Sequence, residues 1–416
     1  MNSKVLLFPL KIVLAFLVFS ELLIWLGPID YDIKNNLTLA FFLLVVNLAF
    51  YWGYKIGIRK KRKESAPVPL IYVKVLIVVG VFLTIHNLYW MWAYRGIDVT
   101  LSNLILSLSN PGDAYFSEAE TVARETPFHL FMAPFKFAAI PCGIYAWKRL
   151  PKLYRILVIL TCLIEAFAWM GVGTRKGLFD IVVISLFTII AGNPDIINSD
   201  SRYRKFKIIS ISFILVFLVY FSFSGLTRAG GQEFSDFVSV ANRYGIKPFY
   251  KENLPIWLYY PVASIDSYLC QGYYALSKGL EIGIKPLTFM GQSWFTINFS
   301  INHFGYNPLP DTYMQDLSSF GIDPWVNWHT IYLWLANDFS FIGVPFIIML
   351  IGFFFARTWS DVVSGRTFIA VPIFSLFLVM AFYFYANNQV ISFQFFSFAF
   401  WFVVWVCLRN LKATKQ

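Results

Sequence analysis

The sequence predicts an all-α, polytopic transmembrane bundle of about ten spans, with both termini cytoplasmic and a large extracytoplasmic loop region. Three observations carry that expectation. The chain is 58% hydrophobic and only 14% charged over 416 residues, with a mean hydropathy of +0.62. Soluble domains run nearer about 45–50% apolar and about 25% charged. The apolar residues fall into runs of roughly 20, the length a helix needs to cross a bilayer. Basic residues cluster after every second run.

By length and apolarity the expected spans are roughly 5–27, 37–58, 71–94, 127–147, 154–173, 177–192, 208–226, 340–356, 367–386 and 390–408. The first run lacks a small-residue cleavage site, which reads as a retained span instead of a removed signal peptide. Arg59-Lys60-Lys61-Arg62-Lys63 follows the second span, and Lys148, Arg149, Lys152 and Arg155 follow the fourth. Arg202, Arg204, Lys205 and Lys207 follow the sixth, Arg357 and Arg366 the eighth, and Arg409, Lys412 and Lys415 the tenth. The positive-inside rule then puts those exits and both termini in the cytoplasm. The net charge of +11 is accounted for by these flanks and gives no reason to expect a nucleic-acid partner.

The chain divides into N-terminal spans (1–226), an extracytoplasmic loop region (227–339) and C-terminal spans (340–416). The middle region is rich in Trp, Tyr, Pro and Gly, and loops of that length are usually functional. Its apolar pieces 256–276 and 286–301 read as interfacial or short core helices, too broken to span. The four cysteines show neither a disulfide framework nor a metal spacing. No phosphate-binding loop, nucleotide fingerprint or nucleophile elbow occurs, so neither a metal nor a cofactor is expected.

The distinctive polar residues gather on the extracytoplasmic side. Gly171-Val172-Gly173-Thr174-Arg175-Lys176-Gly177 is a hairpin between two spans with two cations at its tip. Charge at the edge of hydrocarbon is costly, and Arg is suited to bidentate phosphate binding. Lys176 reads either as an interface anchor or as a phosphate ligand. Asp180 stands four residues on, where it can pair with Lys176. The seventh span ends alike, in Gly225-Leu226-Thr227-Arg228-Ala229-Gly230. Arg228 reads either as a second phosphate ligand or as a flanking anchor, and Arg243 extends the basic character. Glu165, inside the fifth span, is an intramembrane carboxylate and so a functional candidate; its other reading is a buried partner of Arg175 or Lys136. Asn327-Trp328-His329-Thr330-Ile331-Tyr332 leads into Asn337-Asp338-Phe339-Ser340. His329 is a candidate base, or a structural hydrogen-bonding ring. Asp338 is a candidate catalytic carboxylate, or the N-cap of the eighth span.

These two elements together resemble the O-antigen and oligosaccharide repeat-unit polymerases (Wzy-type). Gly173-Thr174-Arg175-Lys176-Gly177 is similar to that family's Gly-Ser-Arg-Gly element. Asn327-Trp328-His329-Thr330 followed by Asp338-Phe339 is similar to its Asn-x-Tyr-Thr run and Asp-Phe-Gly. His329 stands where tyrosine is usual, and Ser340 where glycine is. The resemblance implies a metal-independent membrane glycosyltransferase of the GT-C type in the bacterial inner membrane, with its active site facing the periplasm. It implies that the growing glycan moves from undecaprenyl diphosphate to the next undecaprenyl-diphosphate-linked unit. The lipid-linked oligosaccharide, the bilayer and a chain-length regulator are the partners so implied. Arg175, Arg228, Lys176 and Arg243 would hold the diphosphate, His329, Asp338 or Glu165 would handle the proton, and Tyr332, Asn327 and Trp328 would meet the glycan. An O-antigen ligase or a lipid-linked oligosaccharide flippase is the alternative.

Overall fold

The computed structural model describes residues 3–58, 69–95, 100, 102, 127–171, 174, 176–228, 245–325, 327–365 and 368–413. Among them it is an all-α membrane bundle: the backbone is helical through most of the apolar runs, and the only strand-like pairing is an isolated bridge between Ile29 and Ile246. In hydrocarbon a helix satisfies its own N–H and C=O groups, which is why such runs fold this way.

The N-terminal half comprises α1 (Phe8–Leu26), α2 (Asn36–Ile58), α3 (Leu70–Arg95), α4 (Pro127–Tyr145), α5 (Lys152–Gly171), α6 (Lys176–Gly192) and α7 (Asp200–Arg228). Next come α8 (Ile256–Ile282), α9 (Trp294–Phe304) and α10 (Tyr313–Leu317), then α11 (Ile331–Val363), α12 (Ala370–Phe382), α13 (Gln389–Phe393) and α14 (Phe395–Ala413). Six of these, α1 to α5 and α11, are long and apolar enough to cross a membrane. The apolar helices α12 and α14 are shorter, and α6 has 17 residues.

Two differences from the sequence expectation matter. The stretch expected as short or interfacial helices is the 27-residue helix α8, continuous through Pro261. It lies across the turn between α1 and α2. Asp266 Oδ2 accepts from Ile29 N at 2.9 Å, the Tyr273 hydroxyl meets Ser20 Oγ at 2.9 Å, and Asn35 Nδ2 donates to Ser277 O at 2.8 Å. Its polar side chains are consumed by that packing, so the broken apolar pattern does not break the helix. Secondly, α11 starts at Ile331, well before the expected 340. Thr330 is its N-cap, accepting from Leu333 N at 3.2 Å.

The centre of the bundle is the pair α2 and α11. Gly53 sits so close to α11 that an added Cβ would lie 1.9 Å from the Met349 carbonyl oxygen. Gly57, four residues on, is also close, an added Cβ lying 2.6 Å from the Phe353 carbonyl oxygen and from Ala356 Cβ. Small residues at this spacing let helix backbones approach in membranes. Stacked rings fill the space behind, with Phe50 6.0 Å from Phe355 and Phe355 5.5 Å from Phe374. A second layer is the antiparallel trio α3, α4 and α5. Trp401 Nε1 of α14 donates to Pro134 O of α4 at 2.9 Å, joining this trio to the C-terminal helices.

A strap holds the end of α1. Lys247 Nζ donates to the carbonyls of Trp25 and Gly27 at 2.7 and 2.8 Å. The terminal carbonyls of a helix lack intrahelical partners, and a cation there also meets the negative end of the dipole.

Candidate functional site

The hairpin between α5 and α6 closes on itself. Thr174 N donates to Trp169 O at 3.1 Å. Gly177 has no side chain because the Trp169 indole occupies that space, 2.1 Å from where a Cβ would stand. That glycine is explained by internal packing without invoking a ligand. Lys176 opens α6, and its Nζ lies 2.5 Å from Asp180 Oδ2, one helical turn on. This is the pairing the spacing suggests. The same ammonium stands 5.1 Å above the Tyr383 ring, so a carboxylate and a π-face share it. Arg175 and Arg243 lie outside the described residues.

Tyr383 is where α12 stops. From there to Asn388 the chain is non-helical and mostly buried. Irregular backbone at membrane depth is tolerated where protein or a cavity surrounds it. The rings of this break run on as a wall. Tyr383 stacks with Tyr385 at 5.9 Å, Tyr385 meets Tyr268 of α8 at 6.2 Å, and Tyr268 meets Trp328 edge-on at 5.7 Å. Phe221 of α7 packs on Tyr268 at 4.9 Å. Arg228 ends α7, seven residues beyond Phe221 and so about 10 Å further along the helix. Lys176 of the hairpin, Phe221 of α7 and Trp328, far apart in sequence, thus meet around one aromatic wall, with the end of α7 about 10 Å beyond it.

Within the late element the residues divide by position. Trp328 is half-buried at the wall, its N–H bonded to Gln271 Oε1 at 2.9 Å. Asn327 closes a turn, its Oδ1 accepting from Asp323 N at 2.6 Å. His329 is fully buried, and its backbone is clasped by Asn387: His329 N donates to Asn387 Oδ1 at 3.0 Å, and Asn387 N donates to His329 O. Burial lowers the imidazole to about 3, with the Asn327 backbone and the Asp323 carboxylate opposing. A neutral, enclosed ring of that basicity is a poor general base. Tyr332 is also buried, edge-on to Phe42 and Phe384 in the core. The Asn387 carboxamide accepts a second bond from Trp334 Nε1 at 2.9 Å.

Asp338 is not an N-cap. It lies inside α11, just ahead of a kink at Ser340 (φ 56°, ψ 165°). Its Oδ1 accepts from Thr288 Oγ1 and from Gly291 N, both at 2.7 Å. Neighbouring Asn337 takes Tyr313 N at 3.0 Å and gives to Gly291 O at 2.8 Å. The pair fastens the 283–293 loop to α11. Glu165 sits in the second layer, 2.7 Å from Lys136 Nζ and 3.1 Å from Thr84 Oγ1. Of its two expected partners, Lys136 is the one described.

Asp180, Tyr383, Tyr385 and Tyr268 were not singled out from sequence as site residues. The run Phe382-Tyr383-Phe384-Tyr385-Ala386-Asn387-Asn388-Gln389 carries a signal that would have found the break: three consecutive amides between two apolar runs. Among the described residues no group of three or more His, Cys, Asp and Glu side chains is placed to hold a metal ion. No family model, curated protein or solved structure matches the chain.

Proposed function

We propose that this protein is a repeat-unit polymerase: a GT-C-like glycosyltransferase of the bacterial inner membrane that extends a glycan carried on undecaprenyl diphosphate. In this reading ten spans cross the bilayer, both termini are cytoplasmic, and the aromatic wall opens to the periplasm, where a chain-length regulator is the natural partner. The observation that carries the reading is the meeting of the hairpin with the Trp328 segment at Tyr383, Tyr385 and Tyr268. Cations and sugar-stacking rings are the two things a lipid-diphosphate sugar needs side by side. Ser340 adds to it. It stands where the resembling family has glycine, and its positive φ is one that glycine adopts freely.

The reaction is a displacement. The acceptor hydroxyl oxygen bonds to the anomeric carbon, the bond from that carbon to the diphosphate oxygen breaks, and the diphosphate leaves with the electron pair. A diphosphate is a good leaving group, so the demand is for positive charge where negative charge develops. Arg175 and Arg228 have that role, with Lys176 tethered by Asp180 beside them. The hydroxyl proton passes to a carboxylate. His329 is enclosed, Asp338 is engaged with the 283–293 loop and Glu165 is paired with Lys136 in the second layer; Asp180, itself paired with Lys176, is the carboxylate that stands at the wall beside Tyr383.

Arg175→Ala and Arg228→Ala variants test this. Both proteins should remain in the membrane while long glycan chains vanish and single repeat units still reach the surface lipid. Normal chain ladders from both variants would sink the assignment. Loss of even the single repeat unit would point to ligation or flipping.

A further inference from the structure

The helix break carries a second group of residues, apart from the charged hairpin. Gln389 is 1% exposed, and neither its Oε1 nor its Nε2 has a hydrogen-bond partner among the described residues. Asn388 Oδ1 and the hydroxyls of Ser392 and Ser397 are likewise buried and unpartnered. Buried polar groups in native folds nearly always find partners, because leaving one unmade costs its full desolvation. Five such atoms within ten residues call for partners that the described residues do not supply. Gln389 and Ser392 lie three apart on α13 and so share a face.

The turn is connected to the surface through indole rings. Asn388 Nδ2 donates to Gln292 O at 3.3 Å, just ahead of α9. Asn387, next in the chain, bonds Trp334, whose ring meets Trp294 edge-on at 5.3 Å. Trp294 stacks on Trp325 at 3.8 Å and 14°, and Trp325 is 62% exposed. The unpartnered groups are amides and hydroxyls. They offer donors and acceptors without net charge, so they match a neutral group rich in hydroxyls and not a phosphate or an ammonium. The exposed Trp325 ring, at the outer end of this series of contacts, offers an indole face to the C–H face of a pyranose.

We infer that the 388–397 turn is a sugar subsite, holding hydroxyls of the glycan while the hairpin region takes the charged end of the same substrate. The inference rests on the polymerase reading for the identity of the sugar. The test uses the full-length protein in nanodiscs and the repeat-unit oligosaccharide released by mild acid from the carrier lipid of the encoding strain. Binding is followed by indole fluorescence and calorimetry. Gln389→Leu should weaken binding at least tenfold and Ser392→Ala several-fold. Ser360→Ala, at the far end of α11, should change nothing. Should Gln389→Leu fail to fold, Ser392→Ala and Ser397→Ala decide the matter, since each removes one hydroxyl only. Unchanged affinity in the folded variants overturns the subsite and leaves water as what fills the turn. A wild-type protein that polymerises lipid-linked units but does not bind the free oligosaccharide also overturns it, with the polymerase reading intact. Absence of both binding and polymerisation overturns both.

Discussion

Lys176 and Asp180 form an ion pair of 2.5 Å at the first turn of α6, with the side chains 16% and 17% exposed. Removing one partner leaves the other charge half-buried against Tyr383. Lys176→Ala should therefore destabilise the protein by about 1–3 kcal/mol, less than a fully enclosed pair would lose. The double variant Lys176→Ala/Asp180→Ala should recover part of that loss. Thermal unfolding in detergent measures both, and a double variant as unstable as the sum of the singles would mean the pair is uncoupled. Asp180→Asn should in addition lower kcat with little change in KM if Asp180 takes the acceptor's proton.

Ser340 holds φ 56° and ψ 165° inside α11, in a region nearly exclusive to glycine. Ser340→Gly should stabilise the protein by about 1 kcal/mol by relieving that conformation. Ser340→Val should cost about 2 kcal/mol or more, since a β-branched residue fits there worst. Equal melting temperatures across the three proteins would show that the kink relaxes without cost.

Asp338 gathers Thr288 and Gly291 onto α11, and Asn337 gathers Gly291 and Tyr313. Asp338→Ala should free the 283–293 loop, raise amide exchange across 284–292 and cost about 1–3 kcal/mol, the desolvation of the donors left unmade. Asp338→Asn keeps an acceptor oxygen and should behave nearly as wild type. Unaltered exchange in the alanine variant would remove the loop-fastening role.

His329 gives the fold an acid sensitivity with a definite sign. Its folded-state value of about 3 lies below the ordinary 6.5, so the unfolded chain binds the extra proton. Stability is then fully present above about pH 6.5 and is lost as pH falls toward 3, by on the order of 3–5 kcal/mol at the limit. Asp266, raised to about 6 by burial, acts oppositely: stability is greatest below its ordinary value of 3.8 and declines as pH rises to about 6. Comparing His329→Gln with wild type isolates the histidine. The variant should lose less stability between pH 6.5 and 4, and parallel pH profiles would contradict the assignment.

Gly53 sets the distance between α2 and α11. Gly53→Ala places a Cβ against the Met349 carbonyl, a backbone atom that cannot rotate away. Overpacking of this kind costs about 1–3 kcal/mol, and a lower melting temperature with a reduced yield of folded protein in the membrane is the expected result. An unaffected protein would mean that α2 and α11 can separate without loss.

The amino-acid sequence by itself determined the class of the fold, because hydrophobic run length and backbone satisfaction in hydrocarbon are one-dimensional properties. It also marked the Lys176–Asp180 pair, whose geometry follows from helical spacing alone, and it named Lys136 among the partners of Glu165. Gly53 and Gly57 stand four residues apart in the sequence, but that α11 is the helix packed on them is known only from the packing. Three matters were left to tertiary structure. Polar residues along 256–282 read as interruptions, yet contacts with Ser20, Ile29 and Asn35 satisfy them and keep α8 whole. His329 and Tyr332 read as candidates for proton transfer and glycan binding, yet both are buried, because Asn387 draws the chain inward and Phe42 and Phe384 cover the phenol. The wall of Tyr383, Tyr385, Tyr268 and Trp328 combines three distant segments, and no local pattern records which ring meets which. Spacing along the chain fixes what a helix can do with its own neighbours; only packing decides which helices share a site.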